Sequence, residues 1–273
     1  MVVGSLHRKA AMSLKDAETM AELAQVLKEC DKAPFCELPF CHTVEAEAMG
    51  GIINYGNEKT GPRAKEYLCT DIEEILELPA IDFGKGRIQE VLKACRILHE
   101  KGEHIVFEVS GPLTILNVLI DPKYVFKGMR KKPEFMERIF AKLGKEILAY
   151  MKLAKEQGAD FISYADSSGG VNILGPKMAE QMVNLFTYDF VKQAGKLADE
   201  HLCPKTTFAL LGTGKAKLID CQIHDDRSQE EDSLSYAEAC IQMKGKIRFA
   251  GQTCIKNLDY RMKNGIMKEV HIL

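Results

Sequence analysis

His201-Leu202-Cys203 is the segment with the clearest chemical potential. In an extended chain, residues two apart point the same way, so an imidazole and a thiolate here could reach one ion together. Zinc takes nitrogen and sulfur donors, and a catalytic zinc site uses three protein ligands with one position open. A third donor would have to come from another strand end. Cys254, in Gly251-Gln252-Thr253-Cys254, follows an apolar strand pattern at 246–250 and is the first choice; Cys221 is the second. The pair also has a plainer reading, a core cysteine beside a surface histidine, and at this level both readings stand.

The elements that must position these groups alternate between helix and strand, the pattern of a parallel α/β fold. Residues 13–30 place Met20, Leu23, Ala24 and Leu27 at helical spacing, with Ser13 as N-cap and Asp16 at the capping-box position. Residues 33–40 read as a short strand leading into Cys41-His42-Thr43-Val44-Glu45. A helix over 86–101 stops at Gly102, and a strand at 105–109 enters the turn Ser110-Gly111-Pro112. A helix over 133–156 stops at Gly158, and a strand at 160–165 runs into Asp166-Ser167-Ser168-Gly169-Gly170. A third long helix starts at Pro176 and reaches residue 199, followed by strands at 218–223, 246–250 and 269–273.

No linker rich in Pro, Gly or Ser divides the chain, so residues 1–273 read as one domain. The predicted fold is a (β/α)8 TIM-type barrel of about seven or eight strands, with room for a clipped unit at either terminus. A doubly wound open sheet is the alternative. In a parallel barrel the chemistry sits on the loops after the strands. Those positions hold Cys41 and His42, Glu108 and Ser110, Tyr164 and Asp166, His201 and Cys203, His224 and Asp225, and Gln252 and Cys254. Cys30, Cys95 and Cys240 lie on helical patterns and read as packing residues.

Composition narrows the function. A net charge of −2 gives no electrostatic footprint for nucleic acid. The densest basic run, 127–132, reads as a solvated loop before a helix at Pro133. No run approaches the roughly 18 apolar residues of a membrane helix. Residues 1–15 lack a secretion signal, and nine cysteines, an odd number, suit reduced thiols in the cytoplasm. Leu211-Gly212-Thr213-Gly214-Lys215 does not meet the P-loop spacing.

Several segments together resemble one family. The stretch Pro39-Phe40-Cys41-His42-Thr43-Val44-Glu45-Ala46-Glu47-Ala48-Met49-Gly50 resembles the early motif of the methylcobamide:coenzyme M methyltransferases, within the uroporphyrinogen decarboxylase superfamily. Ser110-Gly111-Pro112-Leu113-Thr114 is similar to that superfamily's Gly-Pro-x-Thr turn. Gly158-Ala159-Asp160-Phe161-Ile162-Ser163-Tyr164-Ala165-Asp166 is similar to its strand ending in Ala-Asp. His201-Leu202-Cys203-Pro204-Lys205-Thr206 resembles the segment with its His-x-Cys zinc ligands. The resemblance implies a β/α-barrel with zinc on His201 and Cys203. The family's third cysteine sits in a late Ala-Pro-Gly-Cys stretch that this sequence lacks, so Cys254 takes that role by position. Uroporphyrinogen decarboxylase itself is a poorer match, because its early Arg-rich porphyrin motif is not visible.

The resemblance implies methyl transfer from a methylcobamide, carried by a separate corrinoid protein, to a thiol such as coenzyme M, with a folate as another acceptor. Zinc would hold the acceptor as a thiolate. Asp166 and Glu108 are the expected catalytic or supporting acids, with Asp166 a partner for His201 or a contact to substrate. Glu45, Ser110, Tyr164 and Gln252 are the expected substrate-binding residues, and His42 is a further acid, base or ligand. A decarboxylase-like enzyme and a non-catalytic partner of a corrinoid protein are the competing functions.

Overall fold

Ile105, Phe107 and Val109 alternate with Val106, Glu108 and Ser110, and all six are buried. A strand covered on both faces belongs inside a parallel sheet with a packed layer on each side. The computed structural model, which describes residues 14–57, 60–197, 200–223 and 234–273, builds that sheet from seven strands. These are β1 (Cys36–Leu38), β4 (Ile105–Ser110), β5 (Phe161–Ala165), β6 (Glu200–Leu202), β7 (Ala216–Gln222), β8 (Phe249–Ala250) and β9 (Ile266–Ile272). A separate antiparallel ribbon joins β2 (Ile52–Asn54) to β3 (Arg63–Glu66).

The sheet order is β1-β4-β5-β6-β8-β9-β7. The first five strands are parallel, as the helix–strand alternation predicts. The last two depart from it: β9 runs antiparallel to β8 and pairs antiparallel with β7 along its whole length. Among the described residues β1 and β7 are the two ends of the sheet, so strand pairing does not close the ring. Periodicity locates these strands but not their direction, which depends on pairing between distant segments.

Helices cover the outer face, except the last of them, which packs on the concave face. They are α1 (Ala17–Asp31), α2 (Val44–Ala48), α3 (Gly86–Glu100), α4 (Pro112–Leu119), α5 (Pro122–Lys131) and α6 (Pro133–Glu156). Next come α7 (Pro176–Met182), which passes through a π turn at Val183–Thr187 into α8 (Tyr188–Ala194), then α9 (Pro204–Gly212) and α10 (Tyr236–Gln242). The N-cap of α1 is Asp16, whose carboxylate accepts from Thr19 N–H; Ser13 lies outside the described residues. The third long helix is broken by the π turn and ends at Ala194, short of residue 199. The basic run is helical rather than a loop, because Asp121 and Pro122 start α5 ahead of it; Lys127, Arg130 and Lys131 are exposed on that helix. Cys95 and Cys240 are buried, but Cys30, near the end of α1, is exposed. No helix among the described residues is long and apolar enough to cross a membrane.

Two apolar layers result. Ile105, Phe107, Val109, Ile162, Tyr164 and Leu202 face the helices. On the concave face Val106, Phe161, Ala250 and Met267 pack against α10 through Tyr236, Ala237 and Cys240.

Candidate functional site

Strand alternation puts Glu37, Glu108, Ser110, Ser163 and His201 on the concave face, opposite the helix-facing residues of the same strands. Register then aligns three of them. Glu108 pairs with Ser163, Ser163 with His201, and His201 with Ala250, giving a transverse row across β4, β5, β6 and β8. Ser163 Oγ is 3.5 Å from His201 Nδ1. His201 Nε2 is 2.8 Å from the Thr253 carbonyl oxygen, and since a carbonyl only accepts, this nitrogen carries the proton. The ring is 1% exposed, and burial depresses its pKa to about 4. His201 is therefore neutral near pH 7.

Glu108 is the electrostatic hub of the row. Its Oε1 is 3.1 Å from His42 Nε2, and its Oε2 is 2.5 Å from Lys256 Nζ. The same ammonium is 2.5 Å from Glu37 on β1. Burial works against the charge on Lys256, but the carboxylates of Glu108 and Glu37 outweigh it and hold its pKa above the ordinary lysine value. Glu37 and Lys256 escaped the strand-end reading. The alternation Cys36-Glu37-Leu38 already aims Glu37 inward, but no local pattern marks Lys256.

Cys203 follows β6 as the N-cap of α9 and is half-buried. Burial raises its thiol pKa, and the neighbouring charge of Cys254 raises it further. Cys254 is exposed on the loop after β8. Cys203 and Cys254 thus stand on the loops after the adjacent strands β6 and β8, near enough for the charge of one to act on the other. Cys221 lies on β7, with Sγ 3.9 Å from the Glu269 carboxylate. The donor types of His201, Cys203 and Cys254 suit zinc. Their arrangement does not: His201 Nε2 is engaged by Thr253, and no three His, Cys, Asp or Glu among the described residues form a group able to hold a metal ion.

Other expected site residues have structural partners. Glu45, 1% exposed in α2, accepts from Ser110 N–H at 2.7 Å and Oγ–H at 3.1 Å, which ties the loop after β1 to the end of β4. Asp166 does not reach His201. It accepts from Thr114 N–H at 2.8 Å and Oγ1 at 2.9 Å, at the N-terminus of α4, where a negative charge is favoured. Burial pushes its pKa up to about 6 against those hydrogen bonds. Tyr164 does not line the mouth, because it shares the helix-facing side of β5 with Ile162; its ring packs against Phe190 at a tilt, with centroids 4.9 Å apart. Gln252 donates to Tyr260 Oη and accepts from Lys268 N–H, fixing the loop after β8. His224 and Asp225 lie outside the described residues.

A second cluster went unnoticed in the sequence. Arg87, 6% exposed in α3, is 2.6 Å from Glu47 and donates to Thr43 Oγ1 at 2.7 Å and Cys41 Sγ at 3.2 Å. Tyr55 completes it with a hydrogen bond to Glu47. Its members lie on the loop after β1, on α2, on α3 and after β2, so no spacing rule joins them.

The chain is 29% identical over 207 residues to the methylcobamide:CoM methyltransferase MtaA of Methanosarcina barkeri, covering 75% of this chain and 60% of that protein. It is 26% identical to MtbA of Methanosarcina acetivorans, covering 71% and 59%. A uroporphyrinogen decarboxylase of Myxococcus xanthus matches 46% of the chain at 25% identity. The chain thus spans about 60% of the length of the methyltransferases it matches. A solved methyltransferase from Methanosarcina mazei superposes with a TM-score of 0.63 at 25% identity, over 74% of this chain and 61% of that one. These likenesses imply a TIM-type barrel, seen here as a mostly parallel seven-stranded sheet. The family model for uroporphyrinogen decarboxylase (URO-D) matches residues 8–229, and the chain belongs to that family.

Proposed function

We propose that this chain is a corrinoid-dependent methyltransferase, moving a methyl group from a methylated corrinoid on a partner protein to a small thiol such as coenzyme M. The observation that carries the proposal is His201 on the concave face with Cys203 and Cys254 on the loops after the adjacent strands β6 and β8, in a chain that is 29% identical to a methylcobamide:CoM methyltransferase. The acceptor thiol releases its proton to solvent and attacks the methyl carbon as a thiolate; the carbon–cobalt bond breaks, and its electron pair stays on cobalt as cobalt(I). The concave face positions the sulfur opposite the methyl group, which lowers the entropic part of the barrier. Neutral His201 adds no positive charge there, and the Lys256 ammonium is paired with Glu37 and Glu108. His201, Cys203 and Cys254 have the donor types for zinc, but as arranged they do not close on an ion, and the proposed step runs without it. A decarboxylase reading has less support: Arg87, an arginine that could meet a substrate carboxylate, is taken by Glu47 and Thr43.

The test follows conversion of methylcob(III)alamin to cob(I)alamin under anaerobic conditions, with coenzyme M added and zinc per chain measured in parallel. Thiol-dependent demethylation by the wild type, cut at least about tenfold in Cys203→Ser and in Cys254→Ser, supports the proposal. No thiol-dependent demethylation in the wild type, with or without zinc reconstitution, overturns it in favour of a decarboxylase-like or non-catalytic role.

A further inference from the structure

Lys256 joins parts of the sheet that strand pairing leaves apart. It lies on the loop after β8, and in the sheet order β8 is separated from β1 by β4, β5 and β6. Its ammonium nevertheless sits 2.5 Å from Glu37 on β1 and 2.5 Å from Glu108 on β4. The loop therefore crosses the concavity of the curved sheet. Near β1, Lys256 and Leu258 line one side of a groove of about 310 Å³ with Phe35 and Phe40. Two residues before Lys256, on the same loop, stands Cys254; three before it, the Thr253 carbonyl takes the His201 N–H.

We propose that Lys256 is a positioning residue: anchored on Glu37 and Glu108, it seats residues 253–256 across the concave face, so that Cys254 lies beside Cys203 and the Thr253 carbonyl over His201. The proposal rests on the reading of Cys203 and Cys254 as site thiols, but not on methyl transfer.

The alternative is an ordinary surface ion pair, worth little. Burial distinguishes the two. The Glu108 side chain is 5% exposed, while that of Lys256 is 42% exposed. Removing the ammonium leaves a buried carboxylate with His42 as its remaining partner, a costly loss for a charge withdrawn from water. The rest of the loop is held elsewhere: Gln252 N–H donates to Tyr236 Oη at 3.2 Å and its side chain binds Tyr260. Those bonds fix residue 252, and Ile255 is buried against the α10 layer; Lys256 adds the link that ties 253–256 to β1 and β4.

The experiment uses the full reduced chain and compares wild type, Lys256→Met, Lys256→Arg and Glu37→Gln. Hydrogen–deuterium exchange reports residues 253–257, and iodoacetamide alkylation with peptide mass spectrometry reports Cys203. In Lys256→Met, exchange at 253–257 and alkylation of Cys203 rise about tenfold, equivalent to opening the loop by one factor of ten, while exchange in β5 stays at the wild-type rate. Lys256→Arg, which keeps the charge, stays within about threefold of the wild type. Should Lys256→Met fail to fold, Glu37→Gln, which removes one of the two anchors at a partly exposed position, shows the same local pattern at about threefold. Wild-type rates at 253–257 and Cys203 in both charge-removing variants overturn the proposal. So does a uniform rise across the sheet, which marks general destabilisation, or a Lys256→Arg variant that behaves like Lys256→Met. A failed methyl-transfer assay with these local effects intact would bear on the proposed reaction and leave the positioning role standing.

Discussion

Glu200 and His201 are consecutive in β6 and serve opposite faces of the sheet. The imidazole enters the concave face and donates to the Thr253 carbonyl, while the carboxylate enters the helix layer, where neither oxygen has a hydrogen-bond partner among the described residues. Burial raises the Glu200 pKa to about 8, against the pull of Lys155 and Arg248.

A carboxylate whose folded pKa is raised favours the folded state below its ordinary value, and that contribution is lost as pH climbs through the folded value. For Glu200 the window runs from about pH 4.5 to about pH 8. Glu200→Gln is expected to stabilise the protein by about 2 kcal/mol at pH 8, after an allowance for the unpaired amide, with the gain vanishing near pH 4.5. Urea unfolding at the two pH values measures this; a variant less stable than wild type at pH 8 would show that Glu200 holds a bond worth keeping.

Asp166 and His201 oppose one another over a shared range. Asp166 is raised to about 6, so its contribution is present below about pH 4 and lost as pH rises through 6. His201 is depressed to about 4, so its contribution is present above pH 6.5 and lost as pH falls through 4. Each shift is worth about 3 kcal/mol, so the two slopes largely cancel between pH 4 and 6. Relative to the wild type, Asp166→Asn is expected to lose stability as pH falls from 6 to 4, a difference unaffected by the Glu200 slope common to both proteins. His201→Gln is expected to uncover the aspartate slope and gain stability on acidification. Urea midpoints across pH 4–7 that run parallel in all three proteins would contradict both assignments.

Gly111 begins the turn from β4 into α4, and a Cβ there would stand 2.3 Å from Asp166 Cβ and 2.8 Å from Tyr164 Oη. Those atoms are fixed by the Thr114 cap and by the packing of Tyr164 on Phe190. Gly111→Ala is expected to cost at least about 2 kcal/mol through forced displacement of packed groups. Gly61→Ala is the matched control, because a Cβ added at Gly61 would meet no atom within 4 Å; it should leave the thermal midpoint near the wild-type value.

Local patterns in the chain were enough to set the parallel part of the fold and to point to the candidate site. Alternation in 105–110 and 161–165, helical stripes stopped by Gly102 and Gly158, and His201-x-Cys203 after a short strand are each set by neighbours within a few residues. Parity alone also sends Glu37 and Glu108 inward and Tyr164 toward the helices; the strand-end reading of Tyr164 went astray by taking position along the strand without its face. Tertiary packing was needed to pair β7 and β9 antiparallel, to make Asp166 cap α4 instead of meeting His201, and to gather Thr43, Glu47 and Cys41 around Arg87. It was also needed to bring Lys256 back across the concavity to β1 and β4. The physical reason is range. Backbone periodicity fixes which way a side chain points, but its partner is chosen by register, sheet curvature and loop path, which arise from contacts between residues far apart in the chain.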